Sequence, residues 1–404
     1  MWKIWLFHAT DFQSLMYPCF IFSRILGIFP NKINDSNFKP SKQHYILSII
    51  LICIIFICDL LIIHGILISN KIDFGEFTEN IHAASFYACS GFIAIVTHIL
   101  TGPRMHLLQI ILKISSQLPS ASYQKLSKWI HIKDILYTSF LFINIILYFS
   151  NGHTYTIDSF FTTYITQLVL QMDMQYINYV CVIKACFKKI NDDLVHIQKL
   201  VVNDKQYAPR LICDMQKNQL LLTKIKTLKK QHLMTSDAVQ MLNVVFSLQL
   251  LATIVLTFIE VTIQLYFYAV RWKDGLLTII LDNEIKNMFY LIDVMYDTIK
   301  LILIVWTCET CKTQAFEIGT TIHDILNSTD DTKIKKELQL FSLQLLHCNN
   351  VFSAKGLTVD ATLLTVMIGG ITTYILILIQ FMMMSYSCNK KFSSNITQTK
   401  LNPM

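Results

Sequence analysis

The chain is poor in the residues that make loops, with 11 Gly and 7 Pro among its 404 residues, which leaves little room for a loop-rich or disordered architecture. Charge is scarce too. Asp, Glu, Lys and Arg together make 15% of the residues while 53% are hydrophobic, more than an ordinary soluble domain of this length needs for its core. Residues 1–9 carry one Lys and no long apolar core followed by a small-residue cleavage site, so no cleaved signal peptide is expected. Clusters of His or acidic residues with metal or acid–base geometry are lacking as well: the 12 His are scattered, and His98 with His106 forms no HExxH. An enzyme, a metal and a cofactor are therefore not expected. The 11 Cys form no disulfide framework, because most fall in apolar runs (Cys53, Cys58, Cys89) or in inner segments (Cys186, Cys213, Cys348), and only Cys388 lies clearly outside. Cys308 and Cys311, with His347 and Cys348 downstream, are too loosely spaced for a zinc site and read as buried thiols.

What the chain has is long apolar runs. A membrane helix needs about 20 predominantly apolar residues, and seven stretches qualify: 45–69, 81–102, 134–150, 160–184, 241–269, 287–307 and 361–384. The third is short and has room to start earlier. The 26 Phe and 17 Tyr suit lipid-facing and interfacial positions. Residues 16–30 are apolar but short and contain Arg24, which predicts an interfacial or re-entrant helix. With a cytosolic N-terminus, 26 of the 34 Lys and Arg fall on the inner side, counting Lys184 at the inner end of the fourth span, and 7 in the outer segments, and the inner side keeps a net positive balance. The sequons at Asn34, Asn327 and Asn395 do not decide the orientation, since the first two would lie inside.

The expected organisation is a cytosolic N-terminus with a short interfacial helix (1–44), six spans with a ligand pocket and cytosolic helix extensions (45–307), a cytosolic amphipathic helix and anchor (308–360), a seventh span (361–386) and an outer tail (387–404). In the long basic segment 187–240, Leu211, Met215, Leu222, Ile225 and Leu228 recur at helical intervals. Leu338, Phe341, Leu345, Cys348 and Phe352 repeat the pattern ahead of the last span and predict a helix that packs on those extensions. The basic patches fit anionic lipid of the bilayer better than nucleic acid.

Polar residues inside spans are expensive and mark candidate sites. The outer halves of the spans carry Tyr87, Ser90, Tyr148, Gln167, Gln171, Glu260, Gln264, Tyr290, Asp293 and Tyr296, a set that would give a cleft aromatic walls and a few hydrogen-bonding groups. Gln167 with Gln171, and Glu260 with Gln264, share a helix face. A structural role stands beside this one: Asp293, Asp297 and Lys300 are spaced for an ion-pair network that positions the sixth helix, and Asp173 belongs to the same kind.

The last span contains Thr373 and Tyr374, five apolar residues at 375–379, then Gln380 and Phe381. This string resembles the signature of the insect gustatory receptors, and Phe352, Ser353, Ala354, Gly356, Leu357, Asp360, Leu363 and Leu364 resemble the stretch leading into it. The resemblance implies an all-α membrane protein of seven spans, a subunit of a homotetrameric or heterotetrameric ligand-gated, non-selective cation channel in the plasma membrane of sensory neurons. Each subunit would contribute its last helix to a central pore, and the cytosolic extensions would form the anchor. Thr373, Leu376 and Gln380 share one stripe and Tyr374, Ile377 and Phe381 the next, so a small rotation would exchange a hydrophobic constriction for an amide that hydrates permeant cations. Gly369 and Gly370 would absorb the bend, and Gly356 would separate the cytosolic and membrane parts of the last helix.

Sugar-type members often carry Glu after the Thr-Tyr pair, where Ile375 stands here, and the region of Tyr17, Pro18, Phe20 and residues 22–30 is similar to moth and butterfly receptors of the bitter class. A small bitter plant tastant is therefore expected ahead of a sugar. A G-protein-coupled receptor fits less well: an Asp-Arg-Tyr end to the third span and an Asn-Pro-x-x-Tyr end to the seventh are both missing, and none of the seven prolines lies in the last six spans. Repeated halves or broken helices, expected of a secondary transporter, do not appear.

Overall fold

The computed structural model describes the backbone of residues 7–29, 31–34, 37–69, 72, 77–150, 157–204, 211–275 and 281–400. Side chains are described there except at 31–40, 144, 147–150, 157–158, 203–204, 211–217, 271–275, 281–290 and 385–400. In chain order the elements are α1 (Phe12–Ile25), β1 (Asn31–Asn34), β2 (Asn37–Pro40), α2 (Lys42–Leu67), α3 (Phe77–Ile99), α4 (Thr101–Ser115), α5 (Ser120–Ser150), α6 (Ile157–Asp204), α7 (Leu211–Gly275), α8 (Leu281–Ser328), α9 (Thr332–His347), β3 (Ser353–Ala354), β4 (Leu357–Thr358) and α10 (Ala361–Lys400).

Six of the seven expected spans each fall on one long helix, and the second, 81–102, runs over α3 into the start of α4. Among the described residues, four helices are long and apolar enough to cross a membrane: Lys42–Leu67, Phe77–Ile99, Asn218–Val270 and Ala361–Met384. The apolar runs of α5 and α8 continue into residues whose side chains are not described, and that of α6 is diluted by Thr, Gln and Asp173. The helix that carries the third stretch, α5, opens earlier, at Ser120. The second ends sooner. A break at Leu100 separates α3 from α4, and Pro103 sits in the first turn of α4, where its missing N–H costs no helix bond. With 65 residues α7 is about 100 Å long at 1.5 Å per residue, roughly three times a bilayer core, so much of it extends beyond any span.

The chain divides into two compact units, one of Met1–Leu61, Ser90–Thr253 and Ile304–Asp360, the other of Ile62–Cys89, Ile254–Leu303 and Ala361–Met404. In the first unit, α1 packs on α4, α5 and α6. It is opened by a capping box in which the Asp11 carboxylate accepts from the Ser14 amide and the Ser14 hydroxyl from the Asp11 amide. Phe12, Leu15, Met16 and Phe20 are buried, and the Gln171 amide donates to the Cys19 carbonyl (2.9 Å) and the Ser23 hydroxyl (2.8 Å). The Tyr164 hydroxyl donates to the Leu26 carbonyl at 2.8 Å. The segment expected to lie at an interface or re-enter the bilayer packs against α4, α5 and α6, with the Cys19 and Leu26 carbonyls met by side chains of α6.

Further along this unit, α9 behaves as its apolar period predicts. Asp331 caps it by accepting from the amides of Lys333 and Ile334. Its apolar stripe buries Ile334, Leu338 and Phe341, while Glu337 pairs with Lys229 of α7 and Gln344 donates to the Lys229 carbonyl at 3.0 Å. The expected break at Gly356 takes the form of a β-hairpin, β3 pairing antiparallel with β4. Lys355 (φ 51°) and Gly356 (φ 91°) both turn left-handed, as a two-residue hairpin loop demands. Asn243 holds the hairpin on α7, donating to the Val351 carbonyl (2.7 Å) and accepting from the Ser353 amide (3.1 Å). The described chain is predominantly helical, as expected, and this hairpin and the β1–β2 ladder, whose register pairs Asn31 with Pro40, are small additions; ladders of two to four residues are too short for a period-2 pattern to register. In the second unit α10 runs unbroken past 386 to Lys400, so the stretch assigned to an outer tail begins as helix, with the Asn395 side chain outside those described.

Candidate functional site

The ten residues proposed to line a ligand cleft divide between the units, and two of them, Tyr148 and Tyr290, have side chains outside those described. In the first unit Ser90 and Gln171 are buried, and the Gln171 nitrogen is engaged by α1. Gln167, one turn away, is also buried, and its nitrogen has no hydrogen-bond partner among the described residues. Asp173 accepts from Thr253 (2.9 Å) and Gln249 (3.4 Å), and Gln249 in turn accepts from Arg104 (2.9 Å), whose guanidinium lies 4.8 Å from the centre of the Phe246 ring. That network holds α4, α6 and α7 together, the role expected of Asp173. Nearby on α5, Lys133 pairs with Asp134, which accepts from Asn178 of α6 at 3.0 Å.

The second unit gathers a denser group. His82, in the second turn of α3, meets Glu260 of α7 at 2.5 Å from Nε2 to Oε2, and the Gln264 amide donates to the same oxygen at 3.1 Å. From α8, Asp297 accepts from Lys300 at 2.9 Å, and Asp293, Asp297 and Glu260 act electrostatically on one another and on His82. The Lys300 ammonium lies 5.5 Å from the centre of the Tyr296 ring. Tyr87 is buried on α3. Glu260, Gln264, Asp293 and Tyr296 are thus brought into one cluster with the Lys300–Asp297 ion pair. His82 was missed because its partner lies 178 residues away, and a single His at the start of an apolar run carries no local signal. Among the described residues, no group of three or more His, Cys, Asp or Glu is placed to hold a metal ion. Cys308 and Cys311 are buried, and the Cys308 sulfur lies 3.2 Å from the Tyr176 hydroxyl. Burial pushes the Cys186 thiol up to about 12, which leaves it unreactive near neutrality.

On α10, Leu363 and Met367 are buried, and Gly370 faces Phe258 of α7 so closely that a Cβ there would meet the ring at 3.0 Å. Tyr374 sits at the edge of this covered face, its ring edge-on to Phe258 at 5.7 Å. Thr373, Leu376, Ile377, Gln380 and Phe381 are all exposed. The two stripes expected along a pore therefore lie mainly on the side of α10 that the chain leaves uncovered. Thr372 and Thr373 return their hydroxyls to the carbonyls of Ile368 and Gly369 at 2.8 Å, which hides two donors within the helix. The helix is continuous through Gly369 and Gly370.

Residues 16–385 match the model of a family described as 7tm chemosensory receptor. Over 153 residues, 37% of this chain, the sequence is 30% identical to a Drosophila melanogaster protein provisionally named gustatory receptor 28b, covering 32% of that protein. Over 158 residues, 39% of this chain, it is 27% identical to the equally provisional gustatory receptor 28a of the same organism, covering 35% of it. The matches thus span about a third of the length of these curated relatives. In three dimensions the chain is similar to the insect olfactory receptor OR5 from Machilis hrabei, with a TM-score of 0.68, 10% identity, and coverage of 91% of this chain and 98% of that one. The same receptor in complex with eugenol matches at a TM-score of 0.68 and 11% identity, again over 91% and 98%. At this identity the likeness establishes the fold.

Proposed function

Because the chain belongs to the 7tm chemosensory receptor family, we propose that it is a gustatory receptor subunit that opens a non-selective cation pore when a small plant compound of the bitter class binds. It would sit in the plasma membrane of a sensory neuron with its N-terminus in the cytosol, and assemble as a tetramer with copies of itself or related subunits. The observation that carries this reading is the state of α10. Of the most apolar 18 residues within Ala361–Met384, 11% are buried, the lowest share of the four span-length helices. Lipid can cover Leu376, Ile377 and Phe381, but a Gln380 amide facing hydrocarbon carries a desolvation cost that a hydrated axis shared with other subunits removes. Four Phe381 rings at such an axis would form a constriction that dewets, with Gln380 one position away to hydrate an ion when the helix turns. The eugenol complex of a receptor with this fold supports a small organic ligand, and Ile375 after the Thr-Tyr pair favours the bitter class over sugars.

Expression of the chain alone in cells that lack such receptors, with whole-cell recording against a panel of sugars and bitter plant compounds, tests the reading. An inward cation current evoked by at least one bitter compound is expected. Abundant surface protein with no evoked current, alone or with a related subunit, would overturn it. Staining of an N-terminal tag in unpermeabilised cells would overturn the orientation.

A further inference from the structure

The polar cluster of the second unit contains two buried acceptors that the described fold does not use. Glu260 and Gln264 are 8% and 7% exposed, and neither Glu260 Oε1 nor Gln264 Oε1 has a hydrogen-bond partner among the described residues. Turning the Gln264 amide over does not help. Its nitrogen has to face the Glu260 oxygen 3.1 Å away, since a carboxylate oxygen accepts, so its own oxygen must look elsewhere. Two acceptors unmet among the described residues, one helical turn apart, leave room for donors from a ligand.

The charges around them say which donors. Three carboxylates, Glu260, Asp293 and Asp297, gather around one lysine, Lys300, and one imidazole, His82, so acidic groups outnumber basic ones in the cluster. Lys300 is engaged by Asp297 at 2.9 Å and His82 by the other Glu260 oxygen at 2.5 Å, so neither is positioned to serve Glu260 Oε1. An uncompensated carboxylate in an apolar interior is costly, and a cation that also donates hydrogen bonds removes both deficits together. The His82 side chain is 27% exposed, which leaves an approach to the group from that side.

We infer that this cluster recognises the protonated amine of an organic ligand, the ammonium donating to Glu260 Oε1 and Gln264 Oε1 while Asp293 adds attraction. The inference rests on the ligand-gated reading above and names the chemistry of its ligand.

The test uses the full chain in lipid nanodiscs and, in parallel, in recorded cells. The probes are phenethylamine and tryptamine, each beside its N-acetyl derivative and the corresponding alcohol, with affinity read from ligand-induced thermal stabilisation. Both amines should bind about tenfold or more tightly than their neutral counterparts, the scale of a charge-assisted hydrogen bond. Glu260→Gln should weaken the amines far more than their neutral counterparts and so abolish that preference. Should Glu260→Gln fail to fold, Asp293→Asn, which leaves both acceptors in place, should still shrink the preference. Amines that bind no better than the alcohols, or not at all, would overturn the inference, as would a preference that survives Glu260→Gln; an ordered water would then be the occupant. Currents evoked by neutral compounds without amine preference overturn this inference alone. Amine binding without any current overturns the channel reading and leaves the site.

Discussion

Gly91 of α3 and Asp59 of α2 are coupled tightly enough for one methyl group to change the sign of an effect. Asp59 is 3% exposed, and neither of its carboxylate oxygens has a hydrogen-bond partner among the described residues. It fits because Gly91 has no side chain: a Cβ there would come within 2.3 Å of Asp59 Oδ2 and 3.1 Å of its Cγ. Gly91→Ala should therefore force the short carboxylate off its rotamer or push α2 and α3 apart, a strain of about 1–3 kcal/mol. Alanine in a helix interior is meanwhile better than glycine by about 1 kcal/mol. In the parent background strain wins or balances and the unfolding midpoint falls or stays level. In an Asp59→Ala background the strain is gone, only the helix preference remains, and the same substitution should raise the midpoint. The thermal midpoints of the four proteins of the cycle, in one detergent, give a coupling of about 1–3 kcal/mol that owes nothing to propensity, since that contribution is common to both arms. A Gly91→Ala shift of the same sign and size in both backgrounds would refute the packing argument.

The features that could be read in advance share a physical property: their signal is local. Apolar runs of 20 residues, the helical period in α9, the Thr-Tyr and Gln-Phe pairs of α10 and the glycine at the hairpin turn all declare themselves within a few turns of chain. Gly356 shows the limit of that legibility, because a break was expected there while its form depended on Asn243, more than a hundred residues upstream, holding both the Val351 carbonyl and the Ser353 amide. Arg104 follows an apolar run and a Gly-Pro pair, and nothing local marks it as buried; Phe246, Gln249 and Met172, brought from α6 and α7, offset the cost of its burial. His82 and Gly91 were opaque for the same reason, each taking its meaning from one residue on another helix. Within the candidate site, Glu260 and Gln264 stood out as a pair on one face, whereas the division of the ten residues between two units could not be seen from spacing along the chain.

Two further outcomes follow from α10 and from the part of α7 outside its apolar run. Phe381→Ala should raise ligand-independent current and Gln380→Leu should lower evoked current, each normalised to surface protein; a well-expressed Phe381→Ala channel that is silent at rest and normal with ligand would remove the gate assignment. The other concerns His232, fully buried on the α7 extension with its ring 5.7 Å from Phe187 and 5.6 Å from Phe341. Gln344 lies 3.2 Å from its Nδ1, which can accept from that amide only while the ring is neutral with its proton on Nε2, and Nε2 has no hydrogen-bond partner among the described residues. Burial holds the imidazole down at about 4, below its ordinary 6.5. The unfolded chain therefore takes up a proton as pH falls through 6.5 while the folded chain resists until about 4. The stability contributed by the neutral ring is complete above 6.5 and lost progressively towards 4, about 3 kcal/mol over the whole window. Carboxylates titrate in the same range, so the diagnostic quantity is a difference of slopes. His232→Leu should be less stable than the parent at pH 7.5, having lost the Gln344 contact, yet should lose less on acidification to pH 5, so that the two unfolding midpoints converge. Parallel lines between those pH values would mean that the folded ring takes up its proton as readily as the unfolded one, and that burial does not hold it neutral.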